Sequence, residues 1–114
     1  VTMGVVSNFG TYLADFLKKL KIDHFFDFVL ISACEGCEKP HPDIFNKALA
    51  RCGGCGPERI LFVGDHPTED YSAAERHGMS AALIDRHDRH KNLDRARRIK
   101  RLPQVVELVF PAGA

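Results

Sequence analysis

The sequence lacks a charge imbalance: 16 Lys and Arg stand against 15 Asp and Glu, a formal balance of +1. No overall field therefore steers the chain to nucleic acid or to a membrane surface. It lacks any apolar run approaching the roughly 20 residues of a membrane span. No signal peptide is visible within its 114 residues. Internal repeats and low-complexity segments are missing too. Its four cysteines come without a secretory context, so reduced thiols and a cytoplasmic setting are expected. The first residue is Val1, inside what reads as a strand, and the N-terminus is expected to be a cut or processed end. What remains is ordinary globular material, 45% hydrophobic and 27% charged. Its length suits one domain with one modest core.

The organising stretch is residues 60–79, ILFVGDHPTEDYSAAERHGM. Ile60, Leu61, Phe62 and Val63 form a short apolar run closed by Gly64-Asp65, which reads as a strand buried on both faces. Asp65 then sits at the strand's C-terminal mouth, where open α/β sheets place their ligand sites. A polar loop leads to Asp70. From there Ala73, Ala74, His77 and Gly78 fit a short helix ended by a glycine. Two carboxylates flank one loop, and a hard cation such as Mg²⁺ needs oxygen ligands of this kind. Read blandly, Asp70 is a helix N-cap and Asp65 a turn former.

Three more strands are expected, over residues 1–6, Phe28–Ile31 and 81–84. Residues 11–20 carry Tyr12, Leu13, Phe16, Leu17 and Leu20 at helical spacing. A second helix starts near Pro42, with Ile44, Phe45, Ala48 and Leu49 as its apolar stripe, and ends at Gly53-Gly54. The loop before it holds Lys39, pinned in extended backbone by Pro40 and Pro42. Residues 102–110 suit a final short helix. Strands alternating with helices predict an α/β fold with a parallel sheet.

Ser7, Lys39, Asp65 and Asp70 each follow or closely trail the C-terminal end of a predicted strand. One hydroxyl, one ammonium and two carboxylates on one sheet edge suit a phosphate held against Mg²⁺. The residues VVSNFG, EKPHPDIF and VGDHPTEDYSAAERHGM resemble motifs II, III and IV of the haloacid dehalogenase (HAD)-like hydrolases, subfamily I. Within that superfamily the chain looks most like the group named haloacid dehalogenase-like hydrolase domain-containing protein 3. The resemblance covers essentially all 114 residues and implies a partial HAD-like core, Rossmann-like in its parallel sheet. It also implies Mg²⁺ as cofactor and a small phosphorylated metabolite as substrate. Ser7 would hydrogen-bond the transferring phosphoryl group, helped by the Asn8 backbone. Lys39 would neutralise charge on the nucleophile and phosphate. Asp65 would ligate Mg²⁺, and Asp70 would support the metal site or Lys39. Glu69 departs from the Asn that many members carry, which adds negative charge near the metal.

The larger departure is a missing motif. Family enzymes attack with an aspartate of a DxDx[TV] strand, and no such motif occurs in these residues. The cap domain is missing as well. The family strand order, 5-4-1-2-3, puts the nucleophile strand at the centre. The strands present would be numbers 2 to 5, so numbers 2 and 4 either pair directly or keep exposed edges. A piece of a phosphatase, inactive alone, is expected; the alternatives are a non-catalytic scaffold module and a zinc-binding module.

Cys34, Cys37, Cys52 and Cys55 give a CxxC-x14-CxxC spacing that suggests zinc. A helix of about ten residues between the pairs separates its ends by roughly 15 Å, which argues against a shared ion. His66, beside Asp65, has the best claim among the histidines to a site contact. Residues 85–101 carry eight Lys and Arg against three Asp. Interrupting acids and missing aromatics predict a solvated, partly helical surface there rather than a nucleic-acid site.

Overall fold

Strand β1 (Gly4–Ser7) pairs in parallel with β2 (Phe28–Ile31), Gly4 opposite Phe28 and Ser7 opposite Ile31. The computed structural model describes residues 1–93 and 97–110, in two compact units, Val1–Gly56 and Pro57–Ala114. In the first unit, helix α1 (Leu13–Lys19) buries Leu13 and Leu17, one turn apart, against Ile31, Ile22, Phe26 and Val29. The predicted stripe was wider. Tyr12, Phe16 and Leu20 are exposed, because a helix of under two turns presents only one i, i+4 pair to the sheet. Asp15 in its first turn and Lys18 and Lys19 in its last complement the helix dipole.

A one-turn helix, α2 (Ser32–Glu35), follows β2 where an irregular loop was expected, and closes at left-handed Gly36. Helix α3 (Pro42–Arg51) starts with Pro42 in its first turn, as predicted. It packs on β1 and β2 and fully buries Ile44 and Phe45.

The second unit is a parallel three-stranded sheet in the order β3 (Leu61–Gly64), β4 (Ser80–Ile84), β5 (Arg98–Ile99). β4 is central, and Ala81, Ala82, Leu83 and Ile84 are all buried. The run expected to be buried on both faces, β3, is only half-buried. Among the described residues it pairs with β4 alone, and β1 pairs with β2 alone. Each is an edge strand, and an edge strand keeps one side of its backbone unpaired. Helix α5 (Gln104–Val109) lays Val105 and Leu108 on the cluster of Ala82, Ile84 and Ile99, against which Leu61 and Val63 of β3 also pack.

The basic segment is solvated, as its composition suggests, with each of its described Lys and Arg residues exposed, but among the described residues it forms turns and a strand rather than a helix. Asp85, 4% exposed, accepts hydrogen bonds from the Arg89 and His90 N–H groups and from the Arg98 guanidinium, at 2.9 to 3.2 Å. The chain after β4 wraps around this carboxylate, and β5 forms within the segment. Residues 94–96 of it lie outside the described ones. No described helix is long and apolar enough to cross a membrane.

Candidate active site

Ser7 ends β1, and Asn8 follows it at the C-terminal edge of the β1–β2 pair. The Asn8 carboxamide reaches 31 residues along the chain. Its Oδ1 accepts from the Lys39 N–H at 2.8 Å, and its Nδ2 donates to the Lys39 carbonyl at 3.0 Å. Both backbone groups of Lys39 are thus held by one planar side chain. Ser32, one residue past β2, adds a second tie: its Oγ accepts from the Phe9 N–H at 3.0 Å and donates to the Phe9 carbonyl at 3.2 Å. The loops after β1 and β2 are locked together, and Ser7, Asn8 and Lys39 are brought to one edge. Helix α3 begins just beyond, where His41 Nδ1 accepts the Asp43 N–H at 3.1 Å.

In the second unit Asp65 follows β3 and is exposed, while Asp70 is 3% exposed. The loop between them is a π-helical turn, Pro67–Ser72, that runs into helix α4 (Ala73–Arg76). The His66 carbonyl accepts from the Asp70 and Tyr71 N–H groups, each at 3.1 Å, and the second of these bonds gives the turn its wide pitch. Asp70 is not the N-cap. His66 is: its Nδ1 accepts the Thr68 and Glu69 N–H groups at 3.2 and 3.0 Å. That nitrogen therefore carries no proton. Asp70 instead sits inside the turn and accepts the His66 N–H at 3.1 Å through Oδ2. It lies so close to Gly64 that a Cβ there would overlap its carboxylate. Gly64, the last residue of β3, is needed for this close approach.

Two carboxylates on one loop offer a hard cation oxygen ligands, one solvent-facing and one anchored. Among the described residues no group of three or more His, Cys, Asp or Glu stands together as a metal cluster. Magnesium commonly takes one or two carboxylates and keeps several waters, so the pair suits it. Sequence reasoning missed the Asn8 side chain, Ser32 and both histidine caps. One signal was readable: His41-Pro42 and His66-Pro67 repeat a cap followed by proline.

The family model described as haloacid dehalogenase-like hydrolase matches residues 1–84. The chain is 40% identical over 84 residues to the rhythmically expressed gene 2 protein of Drosophila melanogaster, covering 72% of this chain and 32% of that one. It is 39% identical over 82 residues to the haloacid dehalogenase-like hydrolase domain-containing protein 3 of Xenopus laevis, covering 72% and 33%. With the glyceraldehyde 3-phosphate phosphatase of Methanothermobacter thermautotrophicus it shares 45% over 85 residues, covering 73% and 37%. The chain thus spans about a third of the length of these relatives. A HAD phosphatase from Thermococcus onnurineus superposes with a TM-score of 0.85 at 29% identity, over 96% of this chain and 50% of that one. The magnesium-bound HAD-hydrolase YfnB of Bacillus subtilis shares the fold, with a TM-score of 0.83 at 19% identity over 96% and 49%. The parallel α/β fold and the family match agree: the chain belongs to the haloacid dehalogenase-like hydrolases.

Proposed function

We propose that these residues form the phosphate- and magnesium-holding part of a phosphohydrolase that acts on small phosphorylated metabolites. One observation carries the reading. The Asn8 carboxamide fixes both backbone groups of Lys39 one residue past Ser7. A hydroxyl at the end of β1 and an ammonium on the loop that Asn8 ties to it suit phosphoryl oxygens. Ser7 donates a hydrogen bond to the phosphoryl group, with the Asn8 N–H beside it. Lys39 offsets the negative charge that gathers as the ester bond breaks. Asp65 and Asp70 would hold Mg²⁺, which when bound neutralises phosphate charge. Asp70, held by the His66 N–H and pressed on Gly64, orients the metal-side loop.

These 114 residues contain no DxDx[TV] strand. The attacking aspartate, and the aspartyl-phosphate it forms, are assigned to a longer chain of which these residues are a part. Relatives named glyceraldehyde 3-phosphate phosphatase support a substrate of triose-phosphate size. A second reading, a non-catalytic scaffold, is favoured by the missing motif alone. The test is turnover of glyceraldehyde 3-phosphate and other small phosphomonoesters, with Mg²⁺, by a chain that carries a DxDx[TV] strand ahead of these residues. Asp65→Ala should weaken the Mg²⁺ dependence, and Lys39→Ala should lower turnover with less effect on folding. Turnover indifferent to both substitutions would sink the assignment.

A further inference from the structure

Cys52 and Cys55 stand at the two ends of one tight turn at the C-terminus of α3. The Cys55 N–H donates to the Cys52 carbonyl at 3.5 Å, and the residues between, Gly53 and Gly54, have φ of +67° and +82°. Two consecutive positive φ values mark a type I′ turn, which holds its end Cα atoms within about 7 Å. A disulfide spans Cα separations of about 4.4–6.8 Å. Side chains with a Cβ resist two left-handed positions in a row, so the glycine pair permits this geometry. The two thiols are free and half-buried. No group of three metal-ligating residues gathers among the described residues, so a tetrahedral zinc site does not account for the pair.

We propose that Cys52 and Cys55 form a reversible intrachain disulfide by exchange with a small-molecule disulfide. One cysteine loses its proton and its thiolate attacks the small disulfide. A mixed disulfide forms, and the first small thiolate leaves and takes up that proton. The second cysteine, deprotonated in turn, attacks the protein-side sulfur. The Cys52–Cys55 bond forms, and the second small thiolate leaves with the second proton. Two protein thiols are oxidised and one small disulfide is reduced to two thiols. Burial, and then the neighbouring Cys55, push the Cys52 thiol up.

The test uses the full 114-residue chain carrying Cys34→Ser and Cys37→Ser, with oxidised glutathione as the probe. Free thiols are counted by Ellman titration, and the tryptic peptide 52–59, which holds both cysteines, is weighed. The expected result is loss of both remaining thiols, a peptide lighter by two hydrogens, and full recovery with dithiothreitol. Cys52→Ser in that background should instead retain one glutathione on Cys55. The complementary variant, Cys52→Ser with Cys55→Ser, should close Cys34 to Cys37 more slowly. Stable double glutathione adducts, unchanged thiols, or equally fast closure of Cys34 and Cys37 would each overturn the proposal.

Discussion

Asn8→Ala should destabilise the chain and displace Lys39 while leaving the apolar core untouched. The substitution removes two hydrogen bonds, of 2.8 and 3.0 Å, that tie positions 31 residues apart. A protein hydrogen bond contributes about 0.5–1.5 kcal/mol net. Asn8 and Lys39 are only half-buried, so water can reach the freed Lys39 groups and the loss falls toward the lower end. About 1.5 kcal/mol for the pair is the working figure, a fall in Tm on the order of 6 °C for a chain of this size. Asn8→Asp keeps the acceptor for the Lys39 N–H but sets a carboxylate oxygen against the Lys39 carbonyl. At neutral pH it should cost at least as much. Urea unfolding of the three proteins reads this as a lower midpoint with an unchanged slope. An Asn8→Ala protein within about 0.3 kcal/mol of the parent, or an Asn8→Asp protein as stable as the parent, would refute a clamp worth about 1 kcal/mol or more.

Gly64→Ala should cost about 1–3 kcal/mol, because its Cβ overlaps the Asp70 carboxylate; calorimetric titration should also show weaker Mg²⁺ binding. Phe45→Ala, at a fully buried position, should cost about 3–5 kcal/mol, enough to unfold much of the first unit in the circular dichroism spectrum. Burial raises the Asp85 carboxyl, but the His90 and Arg89 N–H groups and the Arg98 guanidinium outweigh it and hold it below its usual value. A carboxyl depressed on folding stabilises the chain above its unfolded value and loses that effect as pH falls through the folded one. Acid unfolding below about pH 4 should therefore be blunted in Asp85→Asn, measured as a flatter midpoint-against-pH curve.

Regular elements were legible where pattern and burial agree. FVLI bounded by Asp27 and Ser32 reads as β2 without error, because a short apolar run between polar residues has few other uses. Pro42 and the Gly53-Gly54 pair bracket α3 for reasons of backbone geometry that the residue types state directly. The half-burial of β3 was not legible, since an apolar run does not say whether both its neighbours are strands of the same chain. The histidine caps were missed because Ser, Thr, Asp and Asn are the usual caps, and only the folded loop brings Nδ1 over the N–H groups. Asp85 was hidden for a similar reason: its donors are mostly backbone N–H groups, which every residue carries. Of the candidate site, the residue types at the strand ends were readable. The Asn8–Lys39 clamp was not, because a contact across 31 residues leaves no trace in local spacing.

Phosphomonoester turnover with Mg²⁺ by these 114 residues, set beside a chain that carries a DxDx[TV] strand ahead of Val1, is the most direct test of the phosphohydrolase reading. On that reading the residues at hand would hold phosphate and metal but carry no family nucleophile, so electrostatic stabilisation would remain while the covalent route is missing. The expected result is no appreciable turnover by the 114 residues, and turnover by the longer chain that falls with Asp65→Ala and with Lys39→Ala. Robust turnover by the 114 residues alone, abolished by Asp65→Ala, would contradict it, because another residue of this chain would then be the nucleophile.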